Sequence, residues 1–515
     1  MSQSPDRRLP ILRLLALTAA ALVINGYHLG VGDSEIYLPA ARYFRHPYLY
    51  PYGRAFFLSH AHLSLFGPIV AATGWLTRMS MDWTFFVWYV ATLFATLACS
   101  WMLVAACFSS ARARWSALLV FTAVMTMPAA NTGLLLVDRY LTARSLATPL
   151  SLFALASALE RRPVRAGVAA LLTFLVHPQM ATYLVFLLGV MWVAELKKAR
   201  VRARVPAMAS ILGILPSGFT FTPATGPYRE ALFSRGYFFL YNWTWYDWLG
   251  LLAPLAILAW FWKADLRNTM PAFKEISFVL IPFGLISIAA AAVLCSSPDL
   301  QMFVRIQPLR SFDLITLIFV LLLAGVMGEY LGKGRPWVPA AVSVPLALGM
   351  FISARQAYPH SPQIELPAST SSNPWINTLL WIRRNTPVDA VFALDSRYFL
   401  EPVVDRHGFR AIAERSALAD YYKDGGVVSL FPNLAVEWKQ MTNATYGLNH
   451  FSMAQFRQLK REYPVVSWTV IHGLPPAGMS CPYQRGSFSV CHMPSPPAKP
   501  NKPALLLAHA GKSAH

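Results

Sequence analysis

Two carboxylates follow the first apolar segment of the chain at a spacing that suits acid–base chemistry. Asp33 and Glu35 lie two residues apart in the run Gly32–Tyr37, just beyond apolar residues 9–27. Side chains two apart share a face in an extended chain but diverge on a helix. Near a membrane surface and partly desolvated, one of the two could act as a general base and the other could orient a metal or a substrate. The alternative is a helix start, with Asp33 capping a helix that runs to Phe44 and Glu35 in its first turn.

Arginines recur at the same predicted membrane level and suit recognition of phosphate. Arg139 and Arg144 follow Asp138 between two apolar segments, and Arg305 and Arg310 form a second pair. Guanidinium groups bind phosphate oxygens through paired donors, so both pairs are candidate phosphate or diphosphate ligands. For the first pair the alternative is an Asp138–Arg139 ion pair, with Arg144 extending to the interface.

Histidines add imidazole groups on that side of the membrane. His177 precedes Pro178 at the end of an apolar segment, where a structural role competes with a ligand or acid–base role. His60 and His62 are spaced for a metal but have no evident carboxylate partner. No cofactor follows from these residues, and a divalent metal stays open. The aromatic residues of 223–247 favour an interfacial belt over stacking on sugars.

The composition places these residues in a membrane protein. Of 515 residues, 56% are hydrophobic and 13% are charged, which is about half the charged share of a soluble chain. The net charge of +20 lies mostly in short runs between apolar segments, as in cytoplasmic loops. No basic face with interleaved aromatic residues is present, which argues against nucleic acid as a partner.

About eleven membrane spans are predicted when the basic loops are placed in the cytoplasm. They are 9–27, 83–107, 115–136, 143–159, 166–177, 179–195, 206–222, 248–262, 276–295, 313–331 and 337–354. The N-terminus is then cytoplasmic, as an uncleaved signal anchor, and a long extracytoplasmic loop covers 28–82. Residues 62–77 are short and interrupted by glycine and proline, which favours an interfacial or re-entrant element.

The sequence changes character after the membrane domain, residues 1–355. Residues 356–372 have the proline and serine of a linker, and 494–515 are predicted to be a disordered tail. Between them, 373–493 predict an extracytoplasmic α/β domain with a helix from Asn373 and strands at 390–394 and 465–471. Glu414–Lys423 favours a solvated amphipathic helix ending at Gly425 over a docking face. Cys481 and Cys491 leave a disulfide and two free thiols equally open.

The order of these features resembles the GT-C superfamily of integral membrane glycosyltransferases: a signal-anchor span, an acidic motif in a long first extracytoplasmic loop, many spans and a C-terminal extracytoplasmic domain. More narrowly, several runs resemble a bacterial family of GT-C-like polytopic membrane proteins, from which no activity carries over. These runs are Gly32–Ala40, Tyr48–Pro51, Arg139–Ala147, Leu175–Gln179, Arg305–Arg310, Trp381–Pro387 and Ala413–Gly426. The resemblance implies a GT-C-like, mainly α fold, in which about eleven spans precede a small extracytoplasmic domain.

The same resemblance implies a function at the bacterial inner membrane. The class transfers a sugar from a polyprenyl-phosphate or -diphosphate carrier to an envelope glycan, lipid or protein. By similarity, Asp33, with Glu35 second, matches the base that activates the acceptor. Arg305 and Arg310 match the level at which the class holds the carrier phosphate. The second acidic motif of metal-dependent members is missing. The alternative is a transporter, a lipid-handling protein or an envelope assembly protein, for which no internal repeat is evident.

Overall fold

The computed structural model describes residues 9–198, 222–332, 335, 337–367 and 371–494. The structure is mainly helical. Up to residue 357 the helices are α1 Ile11–Asn25, α2 Ser34–Arg45, α3 Ala55–Ala61, α4 Phe66–Leu76, α5 Met81–Cys107, α6 Ala111–Ala123, α7 Ala143–Leu159, α8 Pro163–Val176, α9 Pro178–Lys198, α10 Gly226–Phe233, α11 Trp245–Lys263, α12 Pro271–Cys295, α13 Phe312–Leu331 and α14 Val338–Ala357. Short 3-10 helices at Pro298–Ile306 and Pro308–Ser311 precede α13.

Five helical segments among the described residues are long and apolar enough to cross a membrane. They are Met81–Cys107, Pro178–Leu196, Pro271–Cys295, Pro298–Leu331 and Val338–Ala357. The pair α3 and α4, bent by 95° at its break, makes six if it counts as one span. Helices α1, α7 and α8 are apolar but shorter. The structure therefore supports a membrane protein with fewer full-length spans than the eleven predicted. The predicted span 206–222 lies outside the described residues except for its last residue.

One predicted span is wrong in its second half. The sequence predicts a helix over 115–136, but α6 ends at Ala123. An irregular segment follows to Thr142, with an isolated antiparallel bridge between Pro128 and Leu135. Proline lacks the amide hydrogen that a continuing helix needs, and Gly133 has a φ of +72°. This segment carries Asp138 and Arg139 into the protein interior.

The predicted first loop, 28–82, is largely helical. Helix α2 confirms the predicted helix to Phe44 within one residue, and Asp33 directly precedes it. The Asp33 side chain does not cap α2, however, so that part of the expectation is wrong. The break between α3 and α4 lies at the start of the apolar run 62–77, and α4 continues without interruption through Gly67, Pro68 and Gly74. The 95° bend is that of a broken span or a re-entrant loop. Helix α4 packs closely on α2, since a Cβ at Gly67 would meet the Phe44 ring at 2.8 Å.

The C-terminal region forms a small α/β domain, as predicted. Its helices are α15 Pro374–Asn385, α16 Phe409–Ala413, α17 Lys423–Val428, α18 Ala435–Ala444 and α19 Met453–Glu462. Its strands are β1 Val391–Ala393, β2 Ser416–Ala417, β3 Val466–His472, β4 Tyr483–Arg485 and β5 Phe488–His492, in the order β2-β1-β3-β5-β4. Strands β2, β1 and β3 are parallel, whereas β5 pairs antiparallel with β3 and β4. A disulfide joins Cys481 to Cys491.

The C-terminal domain is docked onto the first loop of the membrane domain. Val31 and His407 form an antiparallel bridge, and the amide of Gly408 donates to the carbonyl of Gly30 at 2.8 Å. In the predicted linker 356–372, Glu365 lies between two histidines, at 3.2 Å from His28 Nδ1 and 2.9 Å from His407 Nε2. Glu365 thus ties this segment to both domains, although Leu366 beside it is exposed.

The predicted helix over Glu414–Lys423 is absent. Glu414 has a left-handed conformation, β2 follows, and the next helix begins only at Lys423. Gly425 and Gly426 lie inside α17 instead of ending a helix. A Cβ at Gly426 would meet Arg235 Nη2 at 2.9 Å, so the glycine allows α17 to approach the membrane domain closely. Most of this segment is buried within the chain, and its use as a docking face for a partner stays a prediction.

Candidate functional site

A buried arginine lies between two carboxylates in the membrane domain. Arg144, in the first turn of α7, pairs with Asp138 at 2.5 Å and with Asp313 at 3.2 Å. The Arg144 side chain is 7% exposed and that of Asp313 is 1% exposed. Thr142 caps α7 and donates to Asp138 at 3.2 Å. The expected Asp138–Arg139 pair is wrong, because the irregular backbone before α7 directs Asp138 towards Arg144.

This inner triad, Asp138–Arg144–Asp313, changes the expected role of Arg144. Both ends of the guanidinium group bind protein, since Nη1 also donates to the carbonyl of Leu135. A buried charge without partners is costly, so these contacts hold the segment before α7 against α13. The geometry favours a structural role for Arg144 over direct phosphate binding.

Asp33 is the accessible carboxylate beside the inner triad. Its side chain is 56% exposed, and Oδ1 accepts a hydrogen bond from Lys423 Nζ at 2.8 Å. Desolvation by the surrounding protein acts to raise the pKa of Asp33, but the charges of Lys423 and Arg310 outweigh it and lower the pKa. Asp33 is therefore an ionised carboxylate near neutral pH. It is open to solvent and held by a lysine of the C-terminal domain.

Arg310 lies in the second 3-10 helix before α13, directly after the turn at Gln307 that separates it from the first. Tyr183 of α9 holds this turn through its hydroxyl, which lies 2.8 Å from the carbonyl oxygens of both Ile306 and Gln307. Gln307 has a left-handed φ of +55°, which lets the chain reverse before Arg310. The charge of Arg310 acts on Asp33. The predicted base and one predicted phosphate ligand are thus close together.

His177 is also part of this group, since the charges of His60, Arg144 and Arg310 all act on it. Its Nδ1 accepts a hydrogen bond from the amide of Met180 at 3.4 Å. A neutral imidazole that accepts at Nδ1 carries its proton on Nε2. In that form His177 can donate a hydrogen bond to an anion.

Glu35 is placed differently from Asp33. Its side chain is 1% exposed and accepts hydrogen bonds from the amides of Arg410 and Ala411 at 3.0 and 2.9 Å. Burial raises the pKa of Glu35 to about 8, against the lowering effect of the Arg410 charge. These contacts fasten α16 to α2. The structure therefore favours a structural role for Glu35 over a second catalytic base.

Two predicted phosphate ligands have other contacts. Arg305 donates to the carbonyl of Leu430 at 3.3 Å, so its guanidinium group faces the C-terminal domain. Arg139 donates to Thr126 at 3.3 Å and lies 5.6 Å from the ring centre of Tyr358. The structure thus brings Asp33, Arg310 and His177 together and places Arg305 and Arg139 outside that set.

Sequence reasoning missed two residues of the site and undervalued a third. Lys423 lies in the run Ala413–Gly426 that supported the resemblance and ends the charged run Glu414–Lys423, but neither signal indicated a site. Asp313 is an acidic residue at the start of an apolar helix, a costly position that indicates a partner. The sequence suggested His60 only as a metal ligand, but the charges of Asp33 and Arg310 act on it.

The described residues contain no group of three or more His, Cys, Asp or Glu side chains arranged to hold a metal. A scan against models of protein families finds no match to the chain, and a search of curated proteins finds none either.

Proposed function

We propose that this chain is a GT-C-like glycosyltransferase of the bacterial inner membrane. It would move a sugar from a polyprenyl-phosphate-type carrier to an envelope glycan, lipid or protein. The observation that carries the proposal is the position of Asp33, an accessible ionised carboxylate, beside Arg310. A base for the acceptor and a cation for the leaving phosphate are the two groups that this transfer needs.

The surroundings of Arg310 suit an amphipathic donor. Arg310 lines a shallow cleft whose walls include Phe238, Leu294, Val304 and Leu309. A polyprenyl phosphate has an apolar chain directly beside an anionic group. Apolar walls with a guanidinium group at one end match that chemistry, and charge-assisted hydrogen bonds to phosphate are among the stronger polar contacts.

The reaction can be written with these groups. Asp33 accepts the proton of an acceptor hydroxyl while the acceptor oxygen forms a bond to the anomeric carbon of the sugar. The bond from that carbon to the carrier phosphate oxygen breaks, and its electron pair leaves with the phosphate. Arg310 stabilises the negative charge on this leaving group, and the Nε2 proton of His177 is a second donor for it. Electrostatic stabilisation of this kind is commonly the largest catalytic contribution.

The proposed orientation places the site outside the cytoplasm. In this proposal the N-terminus is cytoplasmic and the C-terminal domain is extracytoplasmic. The chain must then cross the membrane an odd number of times, and we propose about eleven crossings. The Cys481–Cys491 disulfide supports this placement, because disulfides persist in oxidising compartments. The exposed basic residues Arg161 and Arg162, between α7 and α8, then face the cytoplasm, in line with the positive-inside bias.

The decisive test compares Asp33→Asn with Asp299→Asn. Asp299 is an exposed acid on the same proposed side and serves as the matched control. In nanodiscs supplied with polyprenyl-phosphate sugars and an envelope extract, we expect Asp33→Asn to lose sugar transfer by about 100-fold or more. The control should transfer normally. Transfer at the parental rate by Asp33→Asn would overturn the assignment.

A lipid-handling or transport function is the second candidate, and one observation favours it. The 95° break between α3 and α4 is the kind of interrupted helix that lines membrane transport pathways. Such a protein would move polyprenyl phosphates across the bilayer without chemical change. Translocation that persists in Asp33→Asn, with no sugar transfer by either form, would favour this alternative. An envelope assembly role for the C-terminal domain has no specific support from its contacts.

A further inference from the structure

We propose that Lys423 is a donor-phosphate ligand supplied by the C-terminal domain, and that it masks Asp33 until the donor binds. Without donor, the ammonium group pairs with Asp33 at 2.8 Å. When an anionic donor enters between Lys423 and Arg310, the hydrogen bond of the ammonium group passes to a phosphate oxygen. Asp33 is then released to accept a hydroxyl proton. This inference rests on the proposed function and names a further binding residue for it.

The Lys423 side chain is directed into the site by its surroundings. It is 13% exposed, unlike most surface lysines, and Nζ lies 5.2 Å from the ring centre of Phe399 and 5.4 Å from that of Tyr422. These two rings stack on each other with their centres 5.6 Å apart. Aromatic walls of this kind attract an ammonium group and restrict the path of its flexible stem.

The backbone of Lys423 is connected to α2, the helix that begins directly after Asp33. The amide of Lys423 donates to Asp420, and the amide of Asp420 donates to Asp424 at 2.8 Å. Asp424 binds both ends of the Arg410 guanidinium group at 2.9 and 2.6 Å. Arg410 in turn reaches Glu35 through its amide at 3.0 Å. A continuous buried network therefore sets the distance between Lys423 and Asp33.

A contact from the membrane domain also holds Tyr422, the residue before Lys423. Arg235 donates to the carbonyl of Tyr422, the residue before Lys423, and lies 4.7 Å from the Tyr422 ring centre. The position of Lys423 thus depends on both domains. An exposed ion pair contributes little to stability by itself and would not hold Lys423 in place. Here the contacts of both domains do so.

Two cations lie around the position proposed for the phosphate, since Lys423 and Arg310 both act on the one carboxylate of Asp33. The inner triad, with two carboxylates and one guanidinium group, balances the second positive charge when no donor is bound. A phosphate that enters therefore competes with Asp33 for these cations. Lys423 can then exchange one anionic partner for another without being left unpaired.

The test measures binding of a polyprenyl monophosphate to the full chain in nanodiscs, with neutral polyprenol and inorganic phosphate as comparison probes. We expect Lys423→Gln to weaken polyprenyl phosphate binding about tenfold, as for loss of one charged hydrogen bond. Lys423→Arg should retain part of the affinity. Lys439→Gln is the matched control, because Lys439 of the same domain pairs with Glu230 at 2.8 Å elsewhere, and it should bind normally.

Masking of Asp33 by Lys423 also predicts that replacing Asp33 has the opposite effect on donor binding to replacing Lys423. If Asp33 and the donor compete for Lys423, Asp33→Asn binds polyprenyl phosphate more tightly than the parent chain does. That gain disappears in the double variant with Lys423→Gln. A lysine that only supports the fold would not produce this pattern, and melting temperatures of all variants identify any that fail to fold.

Four outcomes bear on the inference. Weaker binding in Lys423→Gln together with tighter, lysine-dependent binding in Asp33→Asn supports it. If binding is weaker in Arg310→Gln but parental in Lys423→Gln, the role of Lys423 is overturned and the proposed function stays intact. Parental binding in both Lys423→Gln and Arg310→Gln overturns both. Binding of inorganic phosphate as tight as that of the lipid, lost in Lys423→Gln, keeps the lysine site but contradicts a lipid-linked donor.

Discussion

At the scale of single residues, Arg144 decides whether the inner triad is stable. Removing it leaves Asp138 and Asp313 buried beside each other without a cation. Loss of one partner from a buried ion pair is far more damaging than loss of an exposed one. Arg144 is therefore expected to contribute more to folding than any exposed arginine with similar partners.

We expect Arg144→Met to lower the free energy of unfolding by roughly 3–5 kcal/mol. Arg161→Met is the control, because Arg161 also reaches two carboxylates, Glu195 and Glu275, but is 55% exposed. That change should cost less than about 1 kcal/mol. Thermal unfolding in detergent measures both. Adding Asp138→Asn and Asp313→Asn to Arg144→Met should recover stability, and a failure to recover would mean that the arginine acts through packing alone.

Individual side chains were only partly predictable from the sequence. The sequence marked Asp33, Arg310 and His177 as one polar set, and the structure brings them together. The sequence could not show which of Arg139 and Arg144 pairs with Asp138. That pairing depends on the irregular backbone before α7, which has no periodic sequence signal. Glu35 and Asp33 are close in sequence, yet one is buried against the amides of α16 and the other is open. That difference arises from a domain nearly 400 residues away.

At the scale of elements, carboxylates join α2 to α16 and α17, and their protonation affects that junction. Burial raises the pKa of Glu35 to about 8. Burial, and then the adjacent charge of Asp424, raises the pKa of Asp420. Asp420 Oδ2 is buried without a hydrogen-bond partner. Between the ordinary carboxyl pKa near 4 and about pH 8, the folded protein thus binds more protons than the unfolded chain.

Stability should therefore fall as pH rises through that window, because the folded state must release protons that the unfolded chain has already lost. We expect the melting temperature of the docked domain to be lower at pH 9 than at pH 6. Asp420→Asn, which keeps the oxygen that accepts from Lys423, should reduce this difference. Asp389→Asn, at an exposed position of the same domain, should leave it unchanged. An equal pH dependence in Asp420→Asn would contradict this account.

Regular elements were more predictable than the irregular ones that carry the site. The predicted span 143–159 coincides with α7, and 83–107 differs from α5 by two residues. The predicted strands at 390–394 and 465–471 contain or overlap β1 and β3. The end of α6 was missed because hydropathy stays high beyond Ala123. An apolar run does not distinguish a membrane helix from a buried irregular segment.

At the scale of the whole molecule, the proposed orientation places Asp33 and the C-terminal domain on one side of the membrane and the basic loops on the other. Direct contacts join the first loop to the C-terminal domain, including the Asp33–Lys423 pair. These two regions must therefore share a compartment. The site is extracytoplasmic only if the C-terminal domain is.

This orientation can be tested with single cysteines. Leu474, in the loop between β3 and β4, is 93% exposed. The side chain of Asp265, between α11 and α12, is fully exposed and belongs to a loop predicted to be cytoplasmic. With Cys99, Cys107 and Cys295 replaced by alanine, we expect an impermeant maleimide to label Leu474→Cys in intact cells. Asp265→Cys should react only after the membrane is permeabilised.

The disulfide gives this experiment an internal control. Cys481 and Cys491 should resist the maleimide until a reductant is added, because disulfides form and persist in oxidising compartments. If the labelling pattern is reversed, Lys423 and Asp33 face the cytoplasm. The proposed transfer to an envelope acceptor then fails, although the contact between the two residues remains. If both positions react in intact cells, the chain crosses the membrane an even number of times between α11 and the C-terminal domain, and the proposed threading is wrong there.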